Sequence, residues 1–328
     1  MKKNRKTVMV LLTALAVVFA CGCTKTDEPD NGGGSNNGGG SGGGNNGGNA
    51  ISHEYVDLGL PSGTLWATCN MGANSPEEKG DYFAWGETET KEFNWNSYSE
   101  NWNNYKFGRY PITKYNEQDN LTILYAEDDA ASVNWGDGWY TPTYEQWQEL
   151  LANTEGWSEN VGKGVRITAS NGQSIFLPLD WPGFPRKGFY MCNSLFPYSS
   201  IYYDSYITGG YVTYAENAWG FQVGFNHHGE LYWLGLDAFE RSNPFYIRPV
   251  RSANNNENYR ISASANDYHN GEVSGGGIYQ QGETCTLTAR AYYESTFSMW
   301  TENGVQVSTD VNYTFAVNGN RTLVAVFE

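Results

Sequence analysis

Basic residues are scarce in this chain. Twenty lysines and arginines stand against thirty-six aspartates and glutamates in 328 residues, a formal charge of −16. Four of the twenty are crowded at Lys2, Lys3, Arg5 and Lys6, so the chain beyond residue 20 carries −20. A surface this poor in cations excludes nucleic acid and anionic membrane faces as partners, because both are held through basic patches. Histidine is rarer still, with His53, His227, His228 and His269 the whole complement. The adjacent pair His227 and His228 would point to opposite sides of an extended chain and reads as a solvated turn, not a metal site.

Cysteine is nearly absent after the leader. Only Cys69, Cys192 and Cys285 remain, an odd number without CxxC or any metal-ligand spacing. Either a Cys69–Cys192 bridge or buried free thiols fits, and free thiols are the expectation. GxSxG, P-loop and zincin signatures are missing, and nothing orders Ser, His and Asp into a triad. No catalytic residue is assigned, no cofactor is implied, and the expectation is a protein that is not an enzyme. The adjacent carboxylates Asp128 and Asp129 are the metal candidates, since calcium wants hard oxygen ligands. Ahead of Ala130 and Ala131 they equally suit the start of a short helix.

Long apolar runs are lacking too. The best is Val8 to Ala20, short of the ~20 residues a membrane span needs. A basic head, this short apolar core and small residues before a cleavage point mark an export signal over residues 1–20. The segment Val18-Phe19-Ala20-Cys21-Gly22-Cys23 resembles a lipoprotein signal, which implies acylation of Cys21, with Cys23 as the alternative. Several acyl chains make such an anchor permanent, at about 0.8 kcal/mol per buried methylene. Lys25, Asp27, Glu28 and Asp30 then resemble the surface-export signal of Bacteroidetes lipoproteins, or form a solvated charged tether. The implied location is an outer membrane, lipid-anchored and facing outward.

Residues 21–50 make a tether whose end, from residue 31, is almost entirely Gly, Asn and Ser. It has nothing to bury and stays a coil, with a mean reach of ~25 Å for some twenty residues.

What the chain has in quantity is aromatic side chains: 24 tyrosines, 15 phenylalanines and 12 tryptophans, 16% of all residues. Patterning from residue 51 predicts hairpins at 53–67 around Pro61-Ser62-Gly63, and at 165–178 around Asn171-Gly172. A short helix is expected from Ser75-Pro76-Glu77-Glu78 and a long polar insertion loop over 88–120. The clearest helix is 143–153, with Thr143 and Gln146 as a capping box and Trp147, Leu150 and Leu151 on one face. Alternation marks strands at 219–225, 231–236 and 246–251. A polar break at 254–258 precedes an all-β module, residues 259–328. There Phe297–Trp300 pairs with Val305–Val307 across Asn303-Gly304. Tyr313, Phe315 and Val317 turn at Asn318-Gly319-Asn320 and return as Leu323, Ala325 and Phe327.

Two resemblances become specific at these residues. Tyr55-Val56-Asp57-Leu58-Gly59-Leu60-Pro61-Ser62-Gly63, Trp66-Ala67-Thr68-Cys69-Asn70, Gly80–Glu87, Asp128–Ala131, Trp139–Thr143 and Ile247-Arg248-Pro249-Val250-Arg251 resemble the Fibrobacter succinogenes major paralogous domain. Tyr140 departs from it, where an arginine is usual. That resemblance implies a C-type-lectin-like fold over 51–253, related in outline to formylglycine-generating enzymes. The series GGGxYxxGE, FxxW and RTLVAVF looks like a divergent internalin B-type repeat over 259–328. The fold class expected for the whole is α+β: a C-type-lectin-like domain with short strands and few helices, then a small all-β repeat.

The lectin triplets that hold a calcium-bound sugar are absent, as is a late cysteine pair of the formylglycine-generating kind. The function read from the sequence is therefore a surface-anchored, non-enzymatic binding or adhesion module for an extracellular glycan or protein. The alternatives are a degenerate formylglycine-generating-enzyme-like protein and a structural accessory subunit of a surface assembly. Tyr202, Tyr203 and Tyr206, in a tyrosine-crowded stretch from Phe189 to Tyr214, are the candidate ligand contacts.

Overall fold

The computed structural model describes residues 53–92, 98–109, 111–116, 118–136, 138–159, 164–179, 186–196, 216–225, 231–253, 258–267 and 269–328. Cys21, Cys23, Tyr202, Tyr203, Tyr206, His227 and His228 lie outside the described residues.

The expected α+β class is overturned, for the protein is all-β. Strand accounts for 46% of it and helix for 11%. The α-helices are Tyr98–Asn103, Ala130–Trp135 and Tyr144–Asn153, and the last alone exceeds two turns. Thr143 and Gln146 close a capping box at its start, and Trp147 and Leu150 are buried. The helix predicted at Ser75–Glu78 is a single turn, in which Glu78 N–H donates to the Ser75 carbonyl at 3.1 Å. The Glu78 carboxylate turns back to accept from the Asn74 N–H at 2.7 Å, and the turn does not propagate. Strands as short as Tyr82–Phe83, Trp139–Tyr140 and Phe245–Tyr246 supply sheet partners without any period to read.

Among the described residues, those up to 253 form three sheets. The first pairs Tyr55–Asp57 with Thr64–Ala67 about the Pro61-Ser62-Gly63 turn. Val250–Ser252 joins this sheet next to Thr64–Ala67, so the beginning and end of the unit meet in one ladder. The second sheet has the order Leu231–Glu240, Asn217–Phe225, Arg186–Leu195, Phe245–Tyr246 and Tyr82–Phe83. The third is Thr154–Glu159, Gly164–Ala169 and Ser174–Pro178, the last two joined through the expected Asn171-Gly172 turn, where Gly172 has φ +81°.

Two apolar clusters fill this unit. In one, the Trp147 ring stacks on Phe221 at 4.3 Å and meets the edge of Trp66 at 4.7 Å, all three fully enclosed. The other draws on the expected insertion loop over 88–120. Among its described residues the one regular element is the helix Tyr98–Asn103, and Trp102, Tyr105, Phe107, Ile112 and Tyr115 are buried in this cluster with Trp85 and Ile247. Side chains satisfy its irregular backbone. Asp119 accepts from the N–H groups of Tyr115, Asn116 and Leu121, so rings enter the core from a chain with no helical or strand period.

Arg248 pins the unit together. It is fully buried, and its guanidinium donates to Asn70 Oδ1 and to the carbonyls of Ala67, Thr68 and Phe176 at 2.7–3.1 Å. Cys69, Cys192 and Cys285 are buried free thiols.

The C-terminal module is two sheets around Ile261, Leu287, Trp300, Leu323 and Phe327. One has the order Gly277–Gln280, Asn258–Ala265, Arg321–Phe327, Phe297–Glu302 and Val305–Ser308. The other is Gly271–Ser274, Thr284–Ala291 and Asn312–Ala316. Asn303 (φ +51°) and Gly304 (φ +75°) make the expected tight turn. The chain after Asn312–Ala316 does not return as a hairpin, however. That strand pairs with Thr284–Ala291, whereas Arg321–Phe327 lies between Asn258–Ala265 and Phe297–Glu302 in the other sheet. Alternation is the same for a hairpin and for a crossover, so the pattern could not separate them. Gly275 holds the entry to Gly277–Gln280 at φ +95°, and a Cβ there would collide with the Thr286 carbonyl.

Candidate functional site

The two halves meet along the segment 120–124. On one side its backbone joins the strand Arg186–Leu195: Leu124 N–H donates to the Asn193 carbonyl and Leu195 N–H to Thr122. On the other side it receives the first strand of the C-terminal module. Arg260 Nε donates to the Leu124 carbonyl at 2.6 Å, Ala263 N–H to Thr122 Oγ1 at 3.2 Å, and Ser264 Oγ to Asn120 Oδ1 at 3.0 Å. Thr122 N–H donates to Ser262 Oγ at 3.2 Å. Ile278 packs against the Trp147 cluster, so apolar burial accompanies the polar ties.

Beside this seam lies a cleft of about 340 Å³, with Thr122 and Ile123 among its lining. One wall comes from the capped helix and the second sheet: Tyr144, Glu145, Gln148, Leu195 and Trp219. The facing wall is the C-terminal module, with Glu272, Val273, Ser274, Thr288 and Arg290. The capping box fixes the helix start, which places Tyr144 and Glu145 in the first turn and Gln148 one turn on. Tyr144 lies against Trp219 with centroids 4.4 Å apart, and Phe196 meets the Trp219 edge at 4.5 Å. Gln148 Nε2 donates to the Tyr144 hydroxyl at 2.6 Å. Opposite them, Arg290 donates to Glu272 Oε1 at 2.8 Å, and the Tyr292 hydroxyl donates to Oε2 at 2.8 Å.

Glu145 opens onto the cleft but is walled by protein at longer range. Desolvation pushes its carboxyl up to about 7, against the hydrogen bond from the Thr143 hydroxyl. Gly277 faces it, and a Cβ there would stand 3.8 Å from Glu145 Oε2.

The metal candidates are engaged elsewhere. Asp128 accepts from Lys106 Nζ, Lys114 Nζ and the Tyr115 hydroxyl at 2.5–2.7 Å. Burial opposes its ionisation, but these three donors outweigh it and hold the carboxyl below the usual range. Asp129 caps the helix Ala130–Trp135 through Ala131 N–H and accepts from the Thr141 N–H and hydroxyl. Among the described residues no group of three His, Cys, Asp or Glu side chains is placed to hold a metal ion. Of the aromatic stretch, Phe189 and Tyr190 belong to the core clusters. Tyr202, Tyr203 and Tyr206 fall between Phe196 and Glu216, outside the described residues.

The cleft residues escaped sequence reasoning. Trp219 read only as one residue of an alternating strand, and Glu145 and Gln148 drew no reading of their own. Their grouping with Glu272 and Arg290 depends on docking between segments far apart in sequence, which no local pattern encodes.

No curated protein and no solved structure matches the chain. Residues 261–328 match the family model of the divergent InlB B-repeat domain, a bacterial repeat, so the C-terminal module is similar to such repeats and the chain carries a surface or binding module at that end.

Proposed function

We propose that this protein is a non-enzymatic binding lipoprotein of the bacterial surface. In this reading Cys21 carries the acyl chains, residues 21–50 lift the folded part off an outer membrane, and residues 51–328 meet an extracellular glycan or protein. The observation that carries it is the bacterial repeat at 261–328 in the same chain as a leader ending in Ala20-Cys21. The lectin-like reading of 51–253 belongs to the same proposal and rests on the sequence resemblance. A thiol enzyme of the formylglycine-generating kind is disfavoured. Cys192 is fully enclosed, desolvation pushes its thiol far up, and Cys285 sits in the other module's core.

The test is a glycan and host-matrix array probed with residues 51–328, beside a triple alanine variant at Tyr202, Tyr203 and Tyr206. The reading expects saturable capture of at least one ligand, lost in the variant with its melting temperature unchanged. Capture of nothing, or turnover of any substrate, overturns it.

A further inference from the structure

The cleft between the two modules has a composition that selects a ligand class. Its rings are Tyr144 and Trp219, partly exposed and packed together at 4.4 Å. Around them stand Glu145, Gln148, Glu272 and Arg290, which are planar groups able to offer two donors or acceptors side by side. Flat apolar carbon with paired polar groups at its edge matches a sugar ring, which has an axial C–H face and vicinal hydroxyls. A peptide would need a longer groove or a free strand edge. At about 340 Å³ the cleft sits at the small end of ligand sites, which run from ~300 to ~1,000 Å³, and that suits one or two rings. Charge narrows the class further. Two carboxyl groups, one of them raised towards neutrality, and one guanidinium line the cleft, and the field of a protein carrying −20 beyond its leader disfavours acidic sugars there.

We propose that this inter-module cleft is a binding site for a neutral saccharide of one or two rings. Trp219 and Tyr144 form the stacking surface, while Gln148 and Glu145 on one wall and Arg290 and Glu272 on the other reach the hydroxyls. The proposal rests on the surface-binding reading and deepens it by naming a place and a chemical class. Because both walls contribute, the bound sugar bridges the modules and the site is complete only when they are docked.

The experiment uses the full mature lipoprotein in a sugar-free detergent. Glucose, galactose, mannose, N-acetylglucosamine, lactose and cellobiose are titrated, with glucuronate and sialic acid as acidic controls. Tryptophan fluorescence and calorimetry are read together. A neutral sugar should give a saturable fluorescence change and the acids none. Gln148→Ala and Arg290→Ala, both at exposed side chains, should each weaken binding by roughly tenfold, as loss of a hydrogen bond to a polar or charged group does, with thermal midpoints unchanged. Trp219→Phe should abolish the fluorescence change while calorimetry still reports binding. If no neutral sugar binds, or if both alanine variants bind as the parent does, the cleft is not the site. A protein ligand captured equally by parent and variants would overturn the cleft alone and leave the surface-binding reading standing. Failure to capture any ligand would end both.

Discussion

Arg260 of the C-terminal module donates from Nε to the Leu124 carbonyl of the preceding unit at 2.6 Å, and only 8% of the arginine remains exposed. A side chain placed this way ties the two halves together from inside the contact between them. Replacing Arg260 by Met should leave that carbonyl unsatisfied and cost ~1.5–3 kcal/mol, in the range for hydrogen bonds to charged groups. Calorimetry of residues 51–328 should show one transition for the parent and a split or broadened pair for Arg260→Met. An unchanged single transition would mean that Ile278 and its apolar neighbours carry the docking.

Arg248 offers a harsher case. Its guanidinium meets one amide oxygen and three carbonyls, all out of water. Lysine brings three donors on one atom and cannot reach them all in a fork. Arg248→Lys should cost ~3 kcal/mol or more, as several buried acceptors lose their partners. A urea midpoint within error of the parent would contradict the role given to this residue.

Glu145 predicts the sign of a pH dependence. Desolvation pushes its folded carboxyl up to about 7, above the ordinary carboxylate range, so the folded state holds the proton more tightly. Stability from this group is present below the unfolded value and declines as pH rises through the folded one. Because the side chain opens to solvent in the cleft, the effect should be on the order of 1 kcal/mol, well below the full shift. Glu145→Gln should flatten the fall in stability between pH 5 and pH 8. An identical slope in parent and variant would remove Glu145 from the account.

Asp128 should behave oppositely. Its carboxyl lies below the usual range because Lys106, Lys114 and Tyr115 donate to it, so it stabilises above the unfolded value and fails as pH drops through the lower one. Asp128→Asn should be less stable than the parent at pH 7, with the gap closing towards pH 2. Denaturant titrations across that range decide it.

The proposed membrane attachment has a direct test. Cys21→Ser should move the protein from the membrane to the soluble fraction and abolish labelling by an alkyne fatty acid. Retention of label in Cys21→Ser and its loss in Cys23→Ser would assign the anchor to the other cysteine.

Local chemistry was legible wherever one short segment determined its own shape. Asn171-Gly172 and Asn303-Gly304 announced their turns, and Thr143 with Gln146 announced a helix start, because each needs residues only a few positions apart. The stretch 88–120 was opaque because Trp102, Tyr105 and Phe107 reach the core from an irregular backbone whose amides bond to side chains. Two-residue strands were opaque because they are too short to alternate. The cleft was opaque for a third reason, since Glu145 and Arg290 become neighbours only through the seam made by Thr122 and Arg260.

One pairing in the C-terminal module bears on how it would carry load. Asn258–Ala265 and Arg321–Phe327 run parallel through five successive pairs, from Ile261 with Arg321 to Ala265 with Ala325. Tension between residues 258 and 328 therefore drags these neighbouring strands lengthwise past each other. The rungs between them are strained in concert, where an unzipping geometry would break them one at a time. Such a module behaves as a mechanical clamp, resisting extension along the chain while remaining easy to peel from the side.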